Sequence, residues 1–232
     1  MTLKLAARSL PKALSVGIRL TGLIVALLVG SSANAQGTGG VFAPVTLYTD
    51  FQQGIPQAVA NALRNEVDSA MLDTGLEFDW HELSDFRSER VSAAVVVAHF
   101  GGRCDVVGMV MKGNQPGSLG WTEISDGKIL PFTHVDCERV RTFLQTTLLG
   151  FRTEERERAF GRALGRVLVH ELFHVFWSTQ KHGTGGVAKE KYAVSDLLAE
   201  HFQFNEKQMR SLTAAKTLAA LRASSKPLKA SR

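Results

Sequence analysis

VLVHELFHVFWSTQKHGTGG, residues 167–186, sets His170, Glu171 and His174 inside an otherwise apolar run and adds His182 just beyond it. From Ala163 onward the apolar residues go all the way round a helical wheel, the pattern of a helix buried in the body of a domain. The spacing predicts a helix from Glu154 to about Thr179, with Thr153 as its N-cap and Glu154 and Glu155 complementing the dipole in the first turn. Gly161 and Gly165 stand one turn apart in it. Each costs about 1 kcal/mol relative to alanine, so a neighbouring backbone is expected to come close there. Three polar side chains in such a helix need a shared purpose, because every buried polar group left without a partner is costly.

Working outward, VFAPVTLYTDF (41–51) carries the β-branched and aromatic enrichment of a strand. PQAVANALRNEVDSAMLDTG (56–75) sets Val59, Leu63, Val67, Ala70 and Met71 at helical spacing between Pro56 and Gly75. LEFDWHEL (76–83) alternates as a half-buried strand does, and VSAAVVVAHFGG (91–102) is a continuous apolar run that fits a central strand. LGWTEISDGKILPF (119–132) predicts a β-hairpin turning at Asp126-Gly127, with Pro131 arguing that its second strand is at an edge or ends early. CERVRTFLQTTLLG (137–150) predicts a short helix closed by Gly150. After the long helix, YAVSDLLAEHFQF (192–204) predicts another, with Val194, Leu197, Leu198 and Phe202 inward. That order of elements implies an α+β domain with a mixed sheet, a long buried helix and a following C-terminal helix.

The chain begins with a basic lead, Lys4, Arg8, Lys12 and Arg19, then the apolar stretch Leu20–Gly30 and the small-residue triplet Ala33-Asn34-Ala35. This is the pattern of a secretory signal peptide over residues 1–35. Its apolar stretch, about 11 residues, falls short of the roughly 20 that a permanent membrane helix needs. The mature protein is therefore expected to be secreted or periplasmic, with one domain at 36–222 and a basic, disordered tail at 223–232. The net charge of +5 sits largely in the signal and the tail. The body shows neither the basic face nor the interleaved aromatics of a nucleic-acid binder, and no nucleic-acid partner is expected. In an oxidising compartment Cys104 and Cys137 are expected to pair as a disulfide, the alternative being two separate buried thiols. Oligomeric state is not readable from the sequence.

Residues four apart on a helix are offset by about 40°, so His170 and His174 project from one face, one turn apart. Two neutral imidazoles there can grip one metal ion, and nitrogen ligands suit Zn2+. Glu171 can reach a water on such a metal without being a ligand. The segment is an H-E-x-x-H motif, and it resembles the zincins, specifically the metzincin clan of zinc metallopeptidases, whose pattern is HExxHxxGxxH followed by a methionine-containing turn. His170, Glu171 and His174 match directly. Trp177 stands where the clan has its helix-ending glycine, Gln180 where it has its third histidine, and His182 follows two residues later. HGTGGVAKEKY (182–192) resembles the methionine turn, with Ala188 in the methionine's place, and Tyr192 corresponds to a tyrosine that some members hold near the metal.

His182 is the first candidate for a third protein ligand. Asp196 and Glu200 on the next helix are the alternatives, an arrangement that would resemble the gluzincins. Their other role is as a solvated face or a support for the histidines. His99 and His134 read as hydrogen-bonded core or rim residues, and Trp80 and Trp121 as packing residues.

The resemblance implies an exported zinc metallopeptidase, an endopeptidase acting on peptide or protein substrates. A metal-activated water would attack the peptide carbonyl with Glu171 as general base, and Tyr192 would help to stabilise the oxyanion. The hairpin at 120–135 would offer an edge strand to an extended peptide. One alternative is an exported zinc-binding protein of zincin-like fold that hydrolyses nothing and serves in binding or structure, and another is an exported domain with hydrogen-bonded core histidines and no metal.

Overall fold

The computed structural model describes residues 43–86, 94–113 and 117–212, all within one compact unit, Gly40–Arg232. The expected signal peptide and the basic tail lie outside the described residues. Strand β1 (Ala43–Phe51) leads into helix α1 (Gln57–Met71), and β2 (Leu76–Glu82) and β3 (Ala94–Gly101) follow. The hairpin β4 (Gly120–Ser125) and β5 (Lys128–Asp136) precedes α2 (Cys137–Leu148), α3 (Thr153–Trp177) and the short α4 (Val194–Leu198). The order of strands and helices is the one the sequence patterns imply.

The strands form one mixed sheet ordered β2-β1-β3-β5-β4, parallel except for the antiparallel β4–β5 pair. β3 is central, and its alternation buries Val96, Ala98 and Phe100 on the helical side. Pro131 is accommodated differently from expectation. β5 is an interior strand whose pairing with β3 begins only at Phe132, while its register with β4 is irregular opposite the Thr122/Ile124 step. Proline there removes no ladder hydrogen bond to β3. The edge belongs to β4, which among the described residues pairs with β5 alone.

Helix α3 runs 25 residues and is buried along most of its length between α1, α2 and the sheet. Its N-cap is Arg152, whose side chain makes no capping bond, and Thr153 is already inside the helix. The N-cap therefore falls one residue earlier than its hydroxyl suggested. The two glycines meet α1 as expected. A Cβ on Gly161 would lie 2.4 Å from the Val59 carbonyl oxygen and 2.7 Å from the Ala62 Cβ, and one on Gly165 would lie 2.8 Å from the Leu63 carbonyl oxygen. Gly161→Ala should therefore lower stability by about 1–3 kcal/mol through overpacking, despite an intrinsic helix gain of about 1 kcal/mol. An unchanged or raised denaturant midpoint would show that α1 and α3 can separate without cost.

The predicted helix over 192–204 shrinks to Val194–Leu198, and a further helical segment spans 206–212. Arg166, almost completely buried, explains much of this. Its guanidinium bonds Glu66 at 2.6 Å and the Asp196 carbonyl at 2.9 Å, and it lies over the Phe202 ring. Arg162 likewise donates to the carbonyls of Leu198 and Ala199, so the chain leaving α4 bonds to α3 side chains instead of continuing its own ladder. Cys104 and Cys137 form the expected disulfide, with Cα atoms 5.0 Å apart, pinning the loop after β3 to the start of α2. Among the described residues no helix is long and apolar enough to cross a membrane.

Candidate metal centre

His170 and His174 lie on the face of α3 that turns toward a cleft of about 770 Å³, whose walls are β4, α2 and the segment after α3. Each imidazole is held from behind by a carbonyl. Nδ1 of His170 bonds the Val187 oxygen at 2.8 Å, and Nδ1 of His174 bonds the Thr179 oxygen at 2.6 Å. A carbonyl can only accept, so both Nδ1 atoms carry the proton. Burial depresses the basicity of both rings, that of His170 to about 4, against a smaller opposing effect of the carbonyls. Both are neutral at pH 7, and both Nε2 atoms present bare lone pairs. Those lone pairs face each other at 3.2 Å. Two acceptors aimed at one point repel unless a cation lies between them.

His182 completes the group. Its ring stands 5.2 Å from that of His170 and 4.8 Å from that of His174, and the ligand atoms of the three lie within 4.8 Å of one another. His182 is exposed, while the other two are buried. Three histidine nitrogens this close together could hold a metal ion. Neither Asp196 nor Glu200 belongs to this cluster. The Asp196 carboxylate is occupied by Lys189 at 2.5 Å and by the Ala193 amide at 2.6 Å, contacts that keep its pKa low. Glu200 is exposed.

The spacing of His182 follows from how α3 ends. Trp177 continues the helix, buried with its ring stacked on Phe204 and its indole N–H donating to the Gln208 carbonyl at 2.7 Å. The left-handed turn falls instead on Ser178, at φ +47°. The chain then returns through Gly183, whose amide bonds the Ala188 carbonyl at 2.6 Å, and through Gly186. Gly186 has φ +63°, and a Cβ there would meet the Gln203 carbonyl oxygen at 2.9 Å. The buried pair Val187–Ala188 thus passes beneath His170.

Tyr192 donates its hydroxyl to the Val187 carbonyl and lies 3.1 Å from His170 Nδ1. In this arrangement it orients the ring from the side away from His174. Its phenol is buried, which strongly disfavours ionisation.

Glu171 is nearly fully buried, and burial lifts its carboxyl to about 7 against an opposing hydrogen bond from Thr122. Its folded pKa exceeds the ordinary 4.5. Above pH 7 the metal-free fold therefore bears a desolvated carboxylate that the unfolded chain solvates, and below about 4.5 this cost is gone. Metal-free Glu171→Gln should accordingly melt above metal-free wild type at pH 8, by at most on the order of 3 kcal/mol, and the gap should close toward pH 4.5. Thermal melts in chelator check this, and a gap independent of pH would contradict it.

Several cleft residues carried no recognisable signal in the sequence. Gly120 and Thr122 on β4 face Glu171, and Arg139 and Phe143 of α2 line the same cleft. Trp121, expected to fill a packing role, is half-exposed, stacks on His134 and borders the cleft. His99 and His134 pair with Asp50 and Glu123, as rim residues do. Trp80 packs as expected, with its indole N–H on Asp68. The chain matches no protein-family model and no curated protein.

Proposed function

We propose that the protein is an exported, zinc-dependent metallopeptidase of zincin-like fold. The observation that carries the reading is the pair of bare Nε2 lone pairs 3.2 Å apart, with His182 beside them and a buried carboxylate one residue from His170. Zinc–nitrogen bonds of 2.0–2.1 Å in a tetrahedron put ligand nitrogens about 3.3 Å apart, so the separation suits zinc. His170, His174 and His182 would hold the ion and leave one position open. Zinc held there supplies the Lewis acidity that brings a water's pKa toward neutrality and polarises a carbonyl.

The protein's own groups do the rest. The carbonyls of Val187 and Thr179 fix the tautomers, so that Nε2 of His170 and of His174 would be the atom to bind the ion. Tyr192 positions His170 from behind, and its oxyanion role would require the phenol to swing forward into the cleft. Glu171 takes a proton from the attacking water at a carboxylate oxygen and returns it to the leaving amine. The outer edge of β4, which lies along the cleft and pairs with no strand among the described residues, supports an extended peptide added as a further strand. The signal-like N-terminus and the disulfide support export. The experiment is hydrolysis of an unfolded protein by the zinc-loaded enzyme: cleavage that a chelator stops and added zinc restores is expected. A stable substrate under zinc-loaded conditions would overturn the reading.

A further inference from the structure

β4 does more than border the cleft, because the two residues it turns inward both meet Glu171. Gly120 has no side chain, and a Cβ there would lie 2.8 Å from the Val167 Cγ1 and 3.0 Å from Glu171 Oε1, so only glycine lets the strand descend this close to the carboxylate. Two residues on, the pleat returns to the same face with Thr122. Its hydroxyl donates to Glu171 Oε2 at 2.8 Å, with the Glu171 backbone carbonyl at 3.2 Å. One hydroxyl has one hydrogen, and the shorter contact, to a charged acceptor, takes it. Thr122 is also the last residue of regular pairing before the β4–β5 irregularity. Such irregularities re-aim side chains next to functional sites. Among the described residues this hydroxyl is the only hydrogen-bond donor to the Glu171 carboxylate.

We propose that Thr122 is a positioning residue, one that holds Oε2 of Glu171 and so leaves Oε1, which lies beside Gly120, as the oxygen that takes the proton; the inference rests on the peptidase reading above. A buried carboxylate with one partner can rotate about its last torsion unless that partner fixes it. A base that points elsewhere part of the time lowers the rate of proton transfer and leaves peptide binding untouched. The strand that would receive the substrate is then also the strand that aims the base.

The test compares Thr122→Val, which keeps the shape and removes the hydroxyl, with Thr122→Ser, which restores it, both zinc-loaded. Thr122→Val should lower kcat about 10-fold to 100-fold, the worth of one hydrogen bond to a charged group, with KM within about twofold and zinc content unchanged. Thr122→Ser should recover kcat to within about threefold of wild type. A purely structural threonine would give no such separation of kcat from KM and no rescue by serine. If wild type is active, Glu171→Gln is not, and Thr122→Val keeps kcat within about twofold, the proposal fails while the peptidase reading stands. If zinc-loaded wild type hydrolyses nothing, the peptidase reading fails. The grip is then decided by the infrared carboxylate band obtained as the difference from Glu171→Gln, which must shift in Thr122→Val and is refuted if it does not. Should the valine variant fail to fold, Thr122→Ala carries the same measurements.

Discussion

Glu171→Gln is expected to end hydrolysis while leaving one zinc per chain. Glutamine keeps the size of the side chain and its capacity to accept from Thr122, so neither the packing of α3 against β4 nor the histidines should change. What disappears is the buried carboxylate that lines the cleft one residue from His170. General bases contribute about 10²–10⁴-fold, and a loss of about 10³-fold or more in kcat with little change in KM is the expected signature. Buried carboxylates also occur as structural members of ion pairs, but here the hydrogen bond comes from a neutral threonine, and among the described residues no cation pairs with the charge. A variant retaining most of its activity would show that some other group takes the proton.

The second large effect concerns the ligands. Removing the imidazole of His182 should weaken zinc binding about 100-fold or more, because one of the three proposed ligands is lost. Asp196→Ala should leave zinc affinity within a few-fold of wild type, since its carboxylate serves Lys189 and the Ala193 amide. On the proposed reading the native state binds zinc, so saturating metal should also raise the melting temperature, by an amount that grows with the logarithm of its concentration, and His182→Ala should flatten that response. Competition with a chromophoric chelator measures both variants. Equal affinities for wild type and His182→Ala would remove His182 from the site.

Much of the molecule was legible in the sequence because it follows from periodicity. The all-round apolar character of α3, the alternation of β2 and the turn pair Asp126-Gly127 are local signals, and the element order built from them is the one observed. Gly161 and Gly165 even disclosed a partner, since glycine in a helix interior is tolerated where a backbone must approach. The details that failed depend on contacts distant in sequence. Arg166 and Arg162 capture the carbonyls that would otherwise have continued α4, and nothing near residue 198 announces them. Pro131 suggested an edge strand or an early end, and β5 is neither, because it pairs with β3 from Phe132 onward and leaves the edge to β4. The histidines were legible because H-E-x-x-H is a helical pattern. Gly120 and Thr122 were not, because their relation to Glu171 exists only once β4 lies across α3.

The proposed activity requires one metal ion held by His170, His174 and His182. The measurement that tests this most directly is elemental analysis of the purified, tag-free protein and of His170→Ala, each prepared without added metal and again after reconstitution with zinc. Close to one zinc per chain in the wild type and almost none in the variant is the predicted result. No zinc in the wild type even after reconstitution would contradict it and return the histidines to the role of hydrogen-bonded core residues.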